Sequence, residues 1–291
     1  DTSVSRAEAY ILSNRFERPT LVIDTQAVAR QYAALAQGLG RARIHYAVKA
    51  NPAAEILRTL VEMGSNFDAA SRVEIEMCLA AGADVLTLGN HTWDQQKTSQ
   101  LVTSNRKIVR PINYPKGTAG SGVVEFGLPD GRIFVVMNAM GQLFMEPLDN
   151  PFPILDEVVQ GYPLSKPNVA GILIDFHAEA TSEKMAIGHH FDGRVSVVVG
   201  THTHVPTADQ RILGKGTAYQ TDAGMCGDYK DTVIGMQKAE PLNRFTKKMK
   251  NGRFQPGENP GTVSGLYVKL DRTTALAKEV QRFNFGPELQ G

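Results

Sequence analysis

Four of the seven histidines stand where apolar, strand-like runs end. His91 sits in Gly89-Asn90-His91-Thr92-Trp93-Asp94, directly after the run Val85 to Leu88. His177 sits in Asp175-Phe176-His177-Ala178-Glu179, after Gly171 to Ile174. His202 and His204 share Gly200-Thr201-His202-Thr203-His204, after Val195 to Val199. A lone histidine near a loop is an ordinary polar residue. Separate strands that each deliver imidazole at their carboxyl ends form a converging donor set, because those ends share one edge of an α/β sheet. Imidazole nitrogens with an amide oxygen such as that of Asn90 suit iron, manganese or zinc better than calcium or magnesium. Two such ions, about 3.5–4 Å apart, can clamp a phosphate and acidify water. An imidazole beside them can protonate a leaving oxygen, and His91, next to Asn90, has the position for that duty. His189-His190, in a polar loop after a helix-like run, and His45 on an early strand lack such a setting and are left out of the site.

The elements that must position these groups are visible as apolar runs. The first eighty residues alternate strand and helix patterns: Thr20 to Ile23, a helix opened by Thr25 with Val28, Tyr32, Leu35 and Leu39 on one stripe, the strand Arg43 to Val48, a helix around Ile56 to Met63, a third strand at Asn66 to Asp68, and a helix from Ser71 to Leu79. This order predicts βαβ units with a parallel sheet. Strands are predicted again at Val85 to Leu88, Lys107 to Val109, Ile133 to Met137, Ala170 to Asp175, Val195 to Val199 and Gly265 to Leu270. Long loops rich in Gly, Pro, Asn and Asp are expected at Asn113 to Gly122 and Gln210 to Asp231, where catalytic groups tend to sit.

Bulk composition narrows the classes. The 31 basic and 30 acidic residues leave a net charge of +1 with no basic block, so nothing points to a nucleic-acid polymer or a membrane surface as partner. Cys78 and Cys226 are far apart and make neither a metal knuckle nor a disulfide framework, which suits a reducing compartment. The chain opens at Asp1 without a secretory leader pattern, and no apolar run approaches the roughly twenty residues of a membrane span. A soluble cytoplasmic enzyme is expected, with its oligomeric state open.

From Asp84 to about Phe285 the sequence resembles the YmdB-like branch of the calcineurin-type metallophosphoesterases. The motifs that carry the resemblance are Gly89 to Asp94, Arg110-Pro111-Ile112-Asn113-Tyr114-Pro115, Asp175 to Lys184, Gly200 to Asp209 and Thr221-Asp222-Ala223-Gly224-Met225-Cys226-Gly227. The resemblance implies a dinuclear iron or manganese site and hydrolysis of phosphodiesters, including cyclic nucleotides. On that pattern Asn90, His177 and His202 resemble ligands of one ion, His204 a ligand of the other, and His91 the proton donor. The family's chains also open with a Gly-Asp and an Asn-Gly-Glu-Asn strand end, supplying a further aspartate ligand and a bridging glutamate. Neither motif occurs before Asp84, so the resemblance predicts a reduced donor set and impaired hydrolysis. Asp24 and Asp68, at early strand ends, are the positional alternatives.

Pro19 to Ala83 resembles something else, the start of the fold-type III ornithine and lysine decarboxylases that use pyridoxal phosphate. The carrying residues are Pro19 to Asp24, Tyr46-Ala47-Val48-Lys49-Ala50-Asn51-Pro52, and Phe67 to Ser71 with Glu74-Ile75-Glu76. Lys49 resembles the Schiff-base lysine, the cofactor-binding candidate of an alternative decarboxylase reading. That chemistry also needs a phosphate cradle, a partner for the pyridine nitrogen and a stacking ring. The pattern switches before any of these is reached, so pyridoxal phosphate is not expected to be bound.

The expectation is therefore an α/β protein: a layered metallophosphoesterase-like sandwich whose N-terminal strands and helices come from a βαβ barrel-type segment. Residues 1–83 form the decarboxylase-like segment and residues 84–291 the phosphoesterase-like region, joined in one sheet as an apparent chimera. Its expected activity is metal-dependent hydrolysis of a small phosphodiester. The rival reading is a catalytically silent chimeric scaffold.

Overall fold

A computed structural model describes residues 6–15, 25–26, 28–30, 33, 45–47, 66–68, 84–94 and 98–289. The helix expected after Thr25 is helical at each of its described positions. Helix α1 (Arg6–Ser13) precedes it, and strands β1 (His45–Ala47) and β2 (Asn66–Asp68) pair in parallel, as a βαβ unit requires. Lys49, Asp24 and the two helices expected at 56–63 and 71–79 lie outside the described residues.

The centre of the molecule is a six-stranded mixed sheet. Four parallel strands form its middle: β6 (Ile133–Met140), β7 (Val169–His177), β8 (Val197–Thr201) and β10 (Ala218–Gln220). Antiparallel β5 (Val123–Gly127) and β9 (Arg211–Ile212) close the two edges. Strand β7 reads Val-Ala-Gly-Ile-Leu-Ile-Asp-Phe-His, an almost unbroken apolar run, as expected of a parallel strand buried on both faces. Parallel neighbours need crossovers. Helix α3 (Pro151–Gln160) links β6 to β7, and α4 (Thr181–His190) links β7 to β8. Asn150 caps α3 by accepting from the Phe152 amide, and proline occupies its first turn, where a missing N–H costs nothing. One core joins Val135 and Met137 of β6, Ile172 and Ile174 of β7, Val198 of β8, Leu155 and Val159 of α3, and Ile187 of α4.

Around this sheet lie β3 (Leu86–Thr87) and β4 (Ile108–Val109), paired in parallel and joined through α2 (Thr98–Ser104). A small hairpin, β11 (Thr232–Val233) with β12 (Met236–Gln237), precedes α5 (Ala239–Lys247). The long antiparallel pair β13 (Val263–Leu270) and β14 (Ala277–Phe285) ends the chain. The strands expected from 85 onward are all present.

Three local expectations change. The stretch Gln210 to Asp231 is not one loop: it contains β9 and β10, and Tyr219 of β10 is buried under α4, with its ring against Gly188. Its short apolar content is hidden among Gly and Thr, and only burial on β8 makes it a strand. His189 and His190 form the last turn of α4, where His190 pairs with Asp156 at 2.8 Å. β14 alternates too weakly to be read without its partner β13.

Candidate metal centre

The strand ends do meet. Asn90 Oδ1 lies 2.7 Å from His177 Nε2, and His202 Nδ1 lies 3.2 Å from the same nitrogen. The two imidazoles stand edge to face, 4.9 Å between centroids and 76° apart. An open cleft of about 380 Å³ is lined by Asn90, His91, His177, Glu179, His202, Thr203, His204 and Ile234. All five site residues expected from 84 onward therefore share one cleft, with His177 in contact with both Asn90 and His202, and His91 and His204 on its walls.

Local structure explains each placement. His177 is the last residue of β7, opposite Thr201 at the end of β8 in the strand register. Gly89 brings the Asn90 turn onto the His177 ring: a Cβ there would sit 2.3 Å from the imidazole. His202 and His204 both take positive φ, 107° and 66°. Such backbone is disfavoured for residues with a Cβ and persists only where surroundings over-determine it. Here Asp222 does so. Its Oδ2 accepts from the Thr203 amide at 3.0 Å and from Lys184 Nζ at 2.7 Å, and its Oδ1 accepts from the Gly224 amide at 2.8 Å.

The donor set fits a transition-metal ion. Metal–nitrogen and metal–oxygen bonds of about 2.0–2.2 Å place neighbouring donors about 3.0–3.5 Å apart. The 2.7 and 3.2 Å separations are close to that range. Among the described residues no group of three His, Cys, Asp or Glu side chains is placed to hold an ion. Burial pushes His177 down to about 3, with His202, Lys184, His91 and His204 acting in the same direction, so the ring is neutral and carries a free lone pair at pH 7. His202 is also lowered, by burial first, against the opposing pull of Glu179.

Three of the four rings are hydrogen-bonded on the far side, and the fourth, His202, faces a carboxylate. His91 Nδ1 is 2.8 Å from Asp94 Oδ2, His177 Nδ1 is 3.0 Å from Thr201 Oγ1, His202 Nε2 is 3.1 Å from Glu179 Oε2, and His204 Nδ1 is 3.0 Å from the Ile234 carbonyl. Asp175, buried behind Thr201, accepts its hydroxyl proton at 2.8 Å and a proton from Asn138 at 3.1 Å. Burial raises the Asp175 carboxyl to about 6, against hydrogen bonds from Thr87, Thr201 and Asn138 that favour the ion.

Asp94, Asp175, Glu179, Lys184, Thr201 and Asp222 lie within the motifs that carry the family resemblance, yet residue order alone assigns them no role. For Asp175 a signal existed: it precedes His177 by two, so strand alternation puts both on one face of β7. Other motif residues are structural. The buried Arg110 guanidinium donates to the carbonyls of Pro111, Thr118, Ala119 and Gly120, and Asn113 ties Met140 to Asp149. Glu183 accepts from the amides of Gln142 and Leu143 at 2.9 and 3.3 Å.

Known proteins resemble this chain in two places. Over 204 residues it is 44% identical to the 2',3'-cyclic-nucleotide 2'-phosphodiesterase of Bacillus subtilis, covering 70% of this chain and 75% of that one. A crystal structure described as a novel phosphatase from Mycoplasma pneumoniae superposes with a TM-score of 0.72 at 27% identity, covering 90% of this chain and 88% of that one. A short stretch of 81 residues is 40% identical to the lysine/ornithine decarboxylase of Selenomonas ruminantium, covering 28% of this chain and 21% of that enzyme. The sequence model of the YmdB-like proteins matches residues 62–283, a span that includes every donor of the cleft, and the chain belongs to that family.

Proposed function

We propose that this chain is a metal-dependent phosphodiesterase, a phosphoric diester hydrolase acting on a cyclic nucleotide or a related small phosphodiester. The observation that carries the reading is the meeting of Asn90 Oδ1, His177 Nε2 and His202 Nδ1 at the floor of an open cleft. The Bacillus subtilis relative named for cyclic-nucleotide hydrolysis supports the substrate class. In this reading Asn90, His177 and His202 hold one divalent ion, iron or manganese, and His204 offers a donor to a second. Such ions supply positive charge to the phosphate and lower the pKa of water. His91 stands on the cleft wall with Nδ1 held by Asp94 and Nε2 3.4 Å from the Asn90 side-chain amide nitrogen, and in this reading its doubly protonated ring gives a proton to the leaving oxygen. One imidazole alone does not hold an ion, so the second position is the weak point of the site.

The domain reading accompanies this proposal: residues 84–291 carry the site, and residues 1–83 are a decarboxylase-like segment. The decarboxylase relative is matched over only 21% of its length, and Lys49 lies outside the described residues, so no observation favours pyridoxal chemistry. A cytoplasmic setting accords with a chain in which, among the described residues, no helix is long and apolar enough to cross a membrane.

The test is hydrolysis of a 2',3'-cyclic nucleotide and of bis(nitrophenyl) phosphate by the purified chain with added manganese or iron. Metal-stimulated turnover lost in His202→Ala is expected. Absence of metal-stimulated turnover rejects the activity and leaves the silent scaffold.

A further inference from the structure

One wall of the cleft differs in chemistry from the rest. Of the eight described residues that line it, seven are polar and one, Ile234, is apolar. Ile234 opens the two-residue turn Ile234-Gly235 between β11 and β12, whose register pairs Val233 with Met236. Both turn residues hold positive φ, 47° and 91°. A hairpin turn of that kind favours Asn, Asp or Gly at its first position, because a short polar side chain or none tolerates left-handed backbone. A β-branched residue there is an outlier. Burial does not offset the cost, since Ile234 is 54% exposed. Strain that persists without such a return clusters at ligand sites.

The turn is fixed by main-chain atoms. Thr232 Oγ1 donates to the Asp228 carbonyl and accepts from the Gly235 amide at 3.3 Å, and the Gly235 carbonyl accepts from the Gly257 amide at 2.8 Å. The Ile234 carbonyl lies 3.0 Å from His204 Nδ1, which ties the turn to the cleft wall. None of these bonds uses the isoleucine side chain. The aliphatic group therefore stands in the cleft on a rigid support, with a strained backbone and an exposed face.

We infer that Ile234 is a specificity-determining residue, the apolar surface on which the base of a nucleoside cyclic phosphate rests while its phosphate lies among the histidines. The inference rests on the phosphodiesterase reading of the cleft. A charged phosphate belongs with the polar walls, whereas the flat face of a heterocyclic base gains by leaving water. Among the described lining residues Ile234 alone offers it an apolar contact. Because Ile234 adjoins His204, the base lies on that side of the cleft.

The experiment compares the full chain with Ile234→Asn and Ile234→Leu on two substrates. One is adenosine 2',3'-cyclic phosphate, and the other is glycerol 1,2-cyclic phosphate, which has the same five-membered diester ring and no base. Asparagine suits the turn and keeps the carbonyl beside His204, so Ile234→Asn should raise the melting temperature by about 2–4 °C. Its preference for the nucleotide, read as the ratio of the two kcat/KM values, should fall about tenfold, with the loss carried mainly by KM. Ile234→Leu keeps an apolar side chain and should retain the preference. A second readout needs no turnover. In the zinc-loaded chain labelled with ¹³C at isoleucine methyls, adenosine 3'-monophosphate should move the Ile234 signal, identified by its absence from Ile234→Leu. An unchanged preference or a lowered melting temperature in Ile234→Asn, or an Ile234 methyl that the nucleotide leaves unmoved, overturns the inference. Hydrolysis of both diesters with that unchanged preference leaves the proposed reaction standing. A methyl that moves in a chain that hydrolyses neither diester supports the inference and overturns the reaction, so the two failures are distinguishable.

Discussion

Lys184 Nζ and Asp222 Oδ2 are 2.7 Å apart, with both side chains only 1% exposed. Lys184 comes from α4 and Asp222 from the loop after β10, and the pair lies directly beneath the turn that carries His202, Thr203 and His204. A buried ion pair adds little net stability over an apolar substitute, but removing one partner strands the other charge. Lys184→Met is therefore expected to destabilise the fold by about 3–5 kcal/mol. In Lys184→Met/Asp222→Asn the loss should be smaller than the sum of the two single losses. Urea unfolding of the two single variants and the double variant checks this, and strict additivity would contradict it.

Gly89→Ala tests the approach of the Asn90 turn to β7. The added Cβ would lie 2.3 Å from the His177 ring, so the imidazole must move away from Asn90 Oδ1. Manganese affinity is expected to fall by at least tenfold, comparable with loss of an outer partner. The melting temperature should change little, because the site is at a sheet edge. Calorimetric titration beside a thermal melt separates the two effects.

His91→Ala separates proton donation from ion binding. His91 lies on the cleft wall with its side chain 74% exposed, and its Nε2 is 3.4 Å from Asn90 Nδ2 rather than from the amide oxygen that meets His177. Turnover of a phosphodiester should drop by about 10²–10⁴-fold, the usual contribution of a positioned acid. Metal stoichiometry by elemental analysis should be unchanged. A leaving group that needs no proton, such as nitrophenolate, should show the smaller loss.

Asp228 gives a pH prediction away from the cleft. Burial pushes its carboxyl up, but hydrogen bonds from the Asn259 amide and side chain (3.0 and 2.9 Å) and the Lys230 amide (2.8 Å) outweigh it, and the folded pKa is lowered from 3.8. A folded pKa below the unfolded one contributes stability that is fully present above the unfolded value and is lost as pH falls through the folded value. Asp228→Asn should thus be destabilising at pH about 7, with a deficit that shrinks as pH falls below the unfolded value and toward the lowered folded one, so that it is smaller at pH about 3. Denaturant melts at the two pH values decide it, and a deficit independent of pH would refute the assignment.

Strand-end placement of Asn90, His91, His177, His202 and His204 was legible because it depends on local pattern alone. Apolar runs mark parallel strands, their polar ends mark one sheet edge, and the motif residues identify the donors. The same local logic located the first βαβ pair, with β1 and β2 where Tyr46 and Phe67 alternate with polar neighbours. It did not find β5, β9, β10, β11, β12 or β14, which pair as strands only with the neighbours that folding brings beside them.

What tertiary structure alone decided is the direction of each ring. His177 takes its orientation from Thr201, 24 residues away, and meets Asn90 across 87 residues. The positive φ of His202 is sustained by the buried Asp222–Lys184 pair. A side chain's type is written in the chain, but a lone pair's direction is set by hydrogen-bond partners that only folding brings within 3 Å or so. That is why the candidate site residues could be named from residue order, while the contacts of Thr201 and Asp175 behind His177 could not.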